Sequence, residues 1–571
     1  MNRRSIFSIV LTGIVMTSCV DTVILPDNKI VDEDFWQKKS EVDAMVATAY
    51  AQLRDATAIR DMIVWGSFRS DELVMTSTLP SSAKYKTDLA QIYSMNIEAE
   101  NEFTAWYPFY SAINYCNLIL EKAGGVTGVD PDYTQGDYDA NRAQILALRA
   151  FCYFYLTRVF HDIPVTPGAY MNSGDDLNAP QYSPDYVLNM CINDLTEAAK
   201  YAIPGNTYGD WRDKGYLNRD GINAILADIY LWRASVNRDA NDYQACVEYC
   251  DKVIKAKKEA YEQRGYRRPG EDNTEKEYYL AGYENMYNDI WGLTGQNADE
   301  SIFELQFLNS STANTGLDQM YFRYNSSSSN TYGYLKVTPL YGTVNTGNDG
   351  VWRNIYDQRL FEFAYDANST AVEQFGVRKF VATETAGIGK TDSKRDRRSS
   401  MTQNWIFYRL TDVMLMKAEA LVQLYLLGGK AEDDTRNEEA FNICKFVNDR
   451  SLTDPTRTPL ASYTLFRDAM EELVLAERAR ELCFEGKRWY DLMRYNYRHT
   501  PTKADLTKML SEGYVNNCDE FLELALRKYA VPATMKAKIR DERYLYMPIN
   551  QDEVEINTNL TQNPVYKPSS K

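Results

Sequence analysis

The sequence predicts a mainly α protein: a tetratricopeptide-like scaffold of helical hairpins, broken by a large irregular loop-rich insertion and carrying only minor short strands. Three observations lead there. Apolar residues recur at steps of three and four through most of residues 34–258 and again after 405, the period of amphipathic helices. Within the run Ala147-Leu-Arg-Ala-Phe-Cys-Tyr-Phe-Tyr-Leu, small residues alternate with large aromatic ones, the interlock expected where helical hairpins stack. Between about 259 and 404 the helical period fades and Gly, Ser, Asn and Tyr take over, as in 326–329 and 342–350.

Taken in order, a helix is expected over 40–55, opened by Ser40 with Glu41 and Asp43 in its first turn and striped by Val42, Met45, Ala49 and Leu53. The pattern then dissolves into a long loop near Trp65, Tyr85 and Tyr93, with a turn at 79–83. Helices follow over 102–122 (ending at Gly124-Gly125), 138–160, 184–201, 221–236 and 243–258. In the insertion, 301–307 alternates and reads as a strand. The C-terminal helices are 408–427, 437–449 and 464–483. No clean repeat consensus of about 34 residues runs through these units.

The stretch 471–495 organises the chain. Leu475, Ala479, Leu482, Gly486, Trp489 and Met493 form one helical stripe, so this is a packing segment. Gly486 can take the left-handed conformation that ends a helix, and a second short helix should start at Arg488, aiming Trp489 inward. Glu477, Arg480, Glu481, Glu485, Arg488 and Asp491 are placed to form a carboxylate–guanidinium network.

Composition narrows the function. A net charge of −17 argues against nucleic acid as a partner, since phosphate needs a basic surface; the basic run at 394–398 reads as a solvated loop. The two histidines, His161 and His499, are too few and too isolated for zinc or triad chemistry, and read as structural. The nine cysteines are scattered. Cys246 and Cys250 share a helical face without a completing Cys-x-x-Cys or His, so most read as small buried hydrophobes. No metal, cofactor or catalytic residue is expected. Gly389-Lys-Thr ends like a phosphate loop, but Glu384 stands where the first glycine of the loop belongs. A carboxylate pair for glycoside hydrolysis is the one enzyme reading that composition leaves open.

Residues 1–18 read as a lipoprotein signal peptide: Arg3 and Arg4, an apolar stretch from Ile6 to Val15, then Met-Thr-Ser before Cys19, the expected lipidation site. The apolar stretch is too short to span a bilayer, so residues 19–33 become a lipid-anchored tether.

The segment Glu-Arg-Ala-Arg-Glu-Leu-Cys-Phe-Glu-Gly-Lys-Arg-Trp-Tyr-Asp-Leu-Met-Arg at 477–494 resembles the late helical motif of the SusD/RagB outer-membrane nutrient-binding lipoproteins. Residues 35–53, Leu148-Arg-Ala-Phe-Cys-Tyr-Phe-Tyr-Leu with Asp162-Ile-Pro, and Tyr408-Arg-Leu-Thr-Asp-Val-Met-Leu-Met-Lys-Ala-Glu-Ala are similar to the same family; His161 stands where that family commonly has Gly. The resemblance implies one domain over 34–571, with helical parts at 34–258 and 405–571 and an irregular ligand-binding part at 259–404. It also implies a surface-exposed outer-membrane lipoprotein that caps a SusC-like TonB-dependent transporter and captures oligosaccharides. Capture of peptides, as in RagB-type members, is the alternative.

Binding without catalysis needs ring faces for the apolar faces of sugars, with amides, carboxylates and guanidinium groups for their hydroxyls. The 65–93 loop and the insertion supply both. The expected ligand contacts are Trp65, Arg69, Asp71, Tyr85, Trp291, Tyr321, Arg323, Tyr324 and Trp352.

Overall fold

The computed structural model describes residues 35–77, 79–172, 174–263, 278–292, 295–307, 312–321, 333–344, 350–370, 375–384, 398, 400–453, 456, 460, 462–500, 518–530 and 533–566. Local chemistry sets the helix ends. The Glu41 carboxylate accepts the N–H groups of Gln37 (2.7 Å) and Lys38 (2.9 Å), which opens α1 (Lys39–Gln52) and leaves Ser40 inside the first turn. α2 (Ala56–Ile63), capped by Asp55, runs straight into a π-helical turn at Val64–Phe68, where a loop had been expected. After the short α3 (Lys86–Tyr93), α4 (Tyr107–Val126) begins beside Pro108, whose fixed φ suits a first turn, and continues through Gly124 and Gly125. α5 (Gln135–Phe160) opens with a reciprocal cap between Thr134 and Asp137. It ends at His161, whose φ of 72° explains why glycine suits that position. α6 (Pro184–Ala199), α7 (Arg212–Gly215), α8 (Arg219–Asn237) and α9 (Ala240–Gln263) complete this half.

The insertion holds α10 (Tyr283–Ile290), α11 (Thr315–Met320), α12 (Pro339–Gly342) and α13 (Arg359–Phe363), all short. Beyond it come α14 (Leu410–Leu427), α15 (Arg436–Asp449), α16 (Tyr463–Phe466), α17 (Met470–Glu481) and α18 (Arg488–His499). The expected 464–483 helix is split, and the Asn437 amide takes the Arg467 carbonyl (3.0 Å) in the break. The main helices stack in series: α1 on α4, α4 on α5, α5 on α6, α6 on α8, α8 on α9, α9 on α14, and α14 on α15 and α17. This is the neighbour-on-neighbour packing of helical repeats. α9 and α14 pack together although the whole insertion lies between them in sequence.

Among the described residues the strands form four two-stranded antiparallel ribbons. β1 (Leu73–Met75) pairs with β5 (Leu335–Val337), β2 (Ile163–Pro164) with β3 (Gln181–Tyr182), β4 (Ser301–Leu305) with β8 (Trp405–Arg409), and β6 (Ala364–Tyr365) with β7 (Gly376–Val377). β4 is the strand expected at 301–307. The last two residues of its partner were read as the start of the 408–427 helix, but Trp405-Ile-Phe-Tyr carries the aromatic and β-branched side chains that suit a pleated surface, and the helix starts at Leu410.

The expected charge network exists, and it is buried. Glu481 receives Arg359 (2.9 Å), Arg409 (2.6 Å) and Arg450 (2.5 Å); Glu477 receives Arg359 and Arg480; Glu485 receives Arg409 and Lys379. Asp491 pairs with Arg478 and Arg494, and Arg488 reaches Asp71 (3.0 Å). The network ties α17 and α18 to the insertion. Gly486 has a φ of 70°, as expected, and its carbonyl oxygen lies 2.0 Å from where a side chain on Gly66 would begin. The π-helical turn and the α17–α18 turn therefore meet backbone to backbone, and only glycine fits at 66. The eight described cysteines are free and buried. Among the described residues no helix is long and apolar enough to cross a membrane.

Candidate functional site

The β1–β5 ribbon brings together the two segments that sequence reading singled out as ligand loops. Leu73 pairs with Val337 and Met75 with Leu335; beyond the ribbon, the Thr76 N–H donates to the Tyr334 carbonyl (2.9 Å) and its hydroxyl to the Gly333 carbonyl (2.8 Å). The result is a ledge where residues 76–86 lie beside 333–335.

On this ledge Tyr85, at the start of α3, packs edge-on against half-buried Tyr334 with ring centroids 5.2 Å apart. The Arg60 guanidinium lies 4.9 Å from the Tyr85 ring centre and is held there by Gln319 (3.0 Å) and Thr57 (2.9 Å). Lys84 covers the same ring at 4.9 Å and faces Glu102 at 3.6 Å, both well exposed. Tyr85 and Arg60 are themselves buried and hold the ledge from beneath, while half-buried Tyr334 and exposed Lys84, Glu102 and Gln319 stand at its open edge, a set that can meet both the apolar face and the hydroxyls of a sugar.

The ledge corrects the list of expected contacts. Of the nine residues, only Tyr85 stands on it, and that ring is itself 94 % covered, being 6 % exposed. Trp65 is fully buried among Phe109, Tyr155 and Phe160, its indole N–H donating to the Phe103 carbonyl (2.8 Å). Arg69 donates to the Tyr544 carbonyl (2.9 Å) and lies over Trp489. Trp291 packs against Phe363 beneath the Lys379 ammonium, Tyr321 donates its hydroxyl to the Phe484 carbonyl, and Trp352 donates to the Tyr341 carbonyl (2.8 Å). A ring buried in this way has no face left for a ligand, so these residues support the ledge and do not contact what binds there. Arg323 and Tyr324 lie outside the described residues.

Sequence reading missed Arg60, Lys84, Glu102, Gln319 and Tyr334. Tyr334 was the most accessible to it, as a tyrosine just after the Ser- and Asn-rich run of the insertion. Arg60 was hidden because α2 was not recognised as a helix.

Beneath the ledge lies a titratable pair. Asp71 is buried, which would push its carboxyl up, but the Arg488 and Arg527 guanidinium groups more than offset this and hold it well below the usual range. Glu72, next in sequence, is also fully buried, and its carboxylate makes no hydrogen bond of good geometry. Burial and the Asp71 charge push it up to about 8, with the Ser67 hydroxyl and Arg488 offsetting only part. Lys528, which donates to the Phe68 and Leu73 carbonyls, is pushed down by burial to about 7 despite Asp71 and Glu72.

The sign for Glu72 follows. The folded chain keeps a proton that the unfolded chain releases above about 4.5, so this contribution to stability is complete below that pH and is lost as pH rises through about 8. Lys528 acts in the opposite sense over a higher window, contributing a cost below about 7 that fades toward 10.5. Glu72→Gln, which cannot ionise, is expected to match the wild type in thermal unfolding at pH 4.5 and to exceed it increasingly up to pH 8, by on the order of a few kcal/mol. A difference between the two proteins that is independent of pH would contradict this. Among the described residues no three His, Cys, Asp or Glu side chains come together closely enough to hold a metal ion.

Fold and ledge define a class: a scaffold of stacked helical hairpins that carries a loop-built edge. Two family profiles match the chain, one described as "Starch-binding associating with outer membrane" over residues 25–231 and one as "SusD family" over residues 364–566. The chain belongs to the SusD family. By these descriptions the family is one of outer-membrane-associated, starch-binding proteins. Among curated relatives, SusD-like protein P38 of Formosa agariphila is 24 % identical over 86 % of this chain and 90 % of its own length. Among solved structures, a SusD homolog from Bacteroides thetaiotaomicron superposes with a TM-score of 0.68 at 15 % identity, covering 94 % of this chain and 98 % of that one. A SusD superfamily protein from Bacteroides fragilis gives 0.65 at 17 % identity, covering 93 % and 100 %.

Proposed function

We propose that the chain is a cell-surface lipoprotein that binds an oligosaccharide at the β1–β5 ledge without cleaving it and passes it to a SusC-like TonB-dependent transporter. The observation that carries this reading is the pairing of β1 with β5, which gathers both loops that the helical scaffold does not need onto one open edge furnished with Tyr334, Lys84 and Glu102 and supported from beneath by Tyr85 and Arg60. Membership of a starch-binding, outer-membrane-associated family supports it. An open ledge excludes little water, so each hydrogen bond to a sugar hydroxyl nets about 0.5 to 1.5 kcal/mol and ring contacts supply much of the rest. Dissociation constants between roughly micromolar and millimolar are expected, suited to a receptor that releases its cargo.

Calorimetric screening of a glycan library against the soluble domain tests the reading. Tyr334→Ala is expected to weaken the bound glycan by about 1 kcal/mol at an unchanged melting temperature. Wild-type affinity in this variant would remove the ledge from consideration; new reducing ends on long incubation would favour an enzyme, and binding of peptides alone a peptide receptor. For the anchor, which lies outside the described residues, a fatty-acid analogue fed to cells is expected to label the wild type and not Cys19→Ala. Equal labelling of both would dismiss it.

A further inference from the structure

On the far side of the α4 N-terminus from the ledge, a second cleft opens between α4, the 164–179 segment and the C-terminal helix Gln551–Ile556. It is small, with roughly 60 Å³ of interior volume, room for one compact head group rather than a whole extended ligand. Tyr107 forms the partition: its ring lines the cleft, while its hydroxyl bonds Asp55 and Thr57 on the side of Arg60. The walls are stapled together. Asn114 exchanges two bonds with the Tyr170 backbone (3.0 and 2.7 Å), Asn557 donates to the Ala179 carbonyl (2.9 Å), and Thr558 and Asn559 bond Asn178.

Two features of the lining stand out chemically. Four aromatic side chains, Trp106, Tyr107, Tyr110 and Tyr170, surround it, and the Tyr170 hydroxyl is shut off from solvent with no hydrogen-bond partner. One carboxylate, Glu553, faces them; its hydrogen-bond partner is the neutral Trp106, and among the described residues the lining holds no cation. Burial pushes that carboxyl up, against a hydrogen bond from Trp106, and Asp552 adds to the effect. Asp175 and Asp176 act on Tyr170 in the same sense. The cleft is therefore negative in potential as well as apolar: ring faces carry partial negative charge, and a carboxylate in a poorly solvated place gains most from a positive partner.

We propose that this cleft is a binding site for an organic cation borne on an apolar stem, whether a lysine side chain of a protein segment or a free quaternary amine. The apolar walls at Ile556 and Leu560 would take the stem, the half-buried Tyr107, Tyr110 and Tyr170 rings the cationic head, and Glu553, held by buried Trp106, its charge. This site does not depend on the ledge or on what the ledge binds.

Calorimetry on the soluble domain, using choline chloride and Nα-acetyl-lysine N-methylamide as probes, tests the assignment, with 3,3-dimethylbutan-1-ol as the neutral isostere of choline. At least one cation is expected to bind, and the isostere to bind at least roughly tenfold more weakly than choline wherever choline binds. The tighter of the two cations indicates the source. Glu553→Gln, which keeps the shape and removes the charge, is expected to lose roughly tenfold in cation affinity at an unchanged melting temperature. Equal binding of cation and isostere, an unchanged Glu553→Gln, or no binding of either cation at about 10 mM would overturn the proposal. The isostere comparison uses the wild type alone, so it stands even if the variant does not fold.

Discussion

Replacing Glu481 with alanine is expected to leave the protein unable to accumulate in folded form, or to lower its unfolding free energy by about 3 to 5 kcal/mol. The magnitude comes from what is left behind. Arg359, Arg409 and Arg450 converge on this carboxylate, and all three are 6 % exposed or less at the side chain. Each guanidinium keeps some other partner, Arg359 with Asp357 and Glu477, Arg409 with Glu485, and Arg450 with Glu300. The local charge balance nevertheless shifts by a full unit in a region that water does not reach. The same reasoning predicts that Glu481→Gln recovers little, since an amide accepts hydrogen bonds but cannot compensate three cations. Denaturant unfolding monitored by circular dichroism measures the cost. A loss under about 1 kcal/mol, the range of exposed pairs, would show that water reaches the network.

Trp489→Ala is the second large effect, at about 3 to 5 kcal/mol. The indole is 2 % exposed, packs against Phe521, carries the Arg69 guanidinium 4.6 Å over its ring, and donates its N–H to the Leu545 carbonyl (3.3 Å). Its removal leaves a cavity and deprives the buried Arg69 of its ring contact. Because Arg69 also holds the Tyr544 carbonyl, the loss should loosen the C-terminal segment as well as the α18 packing. Glycan affinity, measured below the unfolding transition, should change far less than stability. A variant with wild-type unfolding and abolished binding would contradict this assignment of Trp489 to the core.

These two residues show what could be read from the sequence. Trp489 lies on an apolar helical stripe with regular spacing, and such a stripe declares its own inward face, whereas Glu477, Glu481 and Glu485 lie on the other face and only their residue types announced a network. Gly486 announced its turn because a left-handed residue after a run of helix formers has one common meaning. Periodicity carried most of the scaffold in the same way: α1, α4, α5, α6, α8, α9, α14 and α15. What it could not carry was pairing across long sequence distances. β8 was not read as a strand, its last two residues being taken into the strong helical pattern that follows, and nothing local says that β4 is its partner. The ligand contacts failed for a related reason. An aromatic residue in an irregular segment was taken to be displayed, yet Trp65 sits in a π-helical turn and Trp291 and Trp352 in short buried elements, where the surrounding loops wrap a core of their own. Irregular backbone does not imply exposed side chains. The two loops do meet, and only the β1–β5 register shows which of their residues reach the edge.

The contact between α9 and α14 has a consequence for how such a chain can be altered. Since these helices pack as direct neighbours, residues 264–409 behave as a cassette whose two ends leave the scaffold close together. Closing a loop of that kind costs only about 0.6 kcal/mol more for each doubling of its length, so cassettes of very different size could be exchanged between related scaffolds without great entropic cost. The restriction is electrostatic. Arg359, Lys379 and Arg409 belong to the cassette, while Glu477, Glu481 and Glu485 belong to the scaffold. A transplanted cassette that fails to deliver cations to those three places would strand buried carboxylates, and the graft would be rejected by charge long before it was rejected by length.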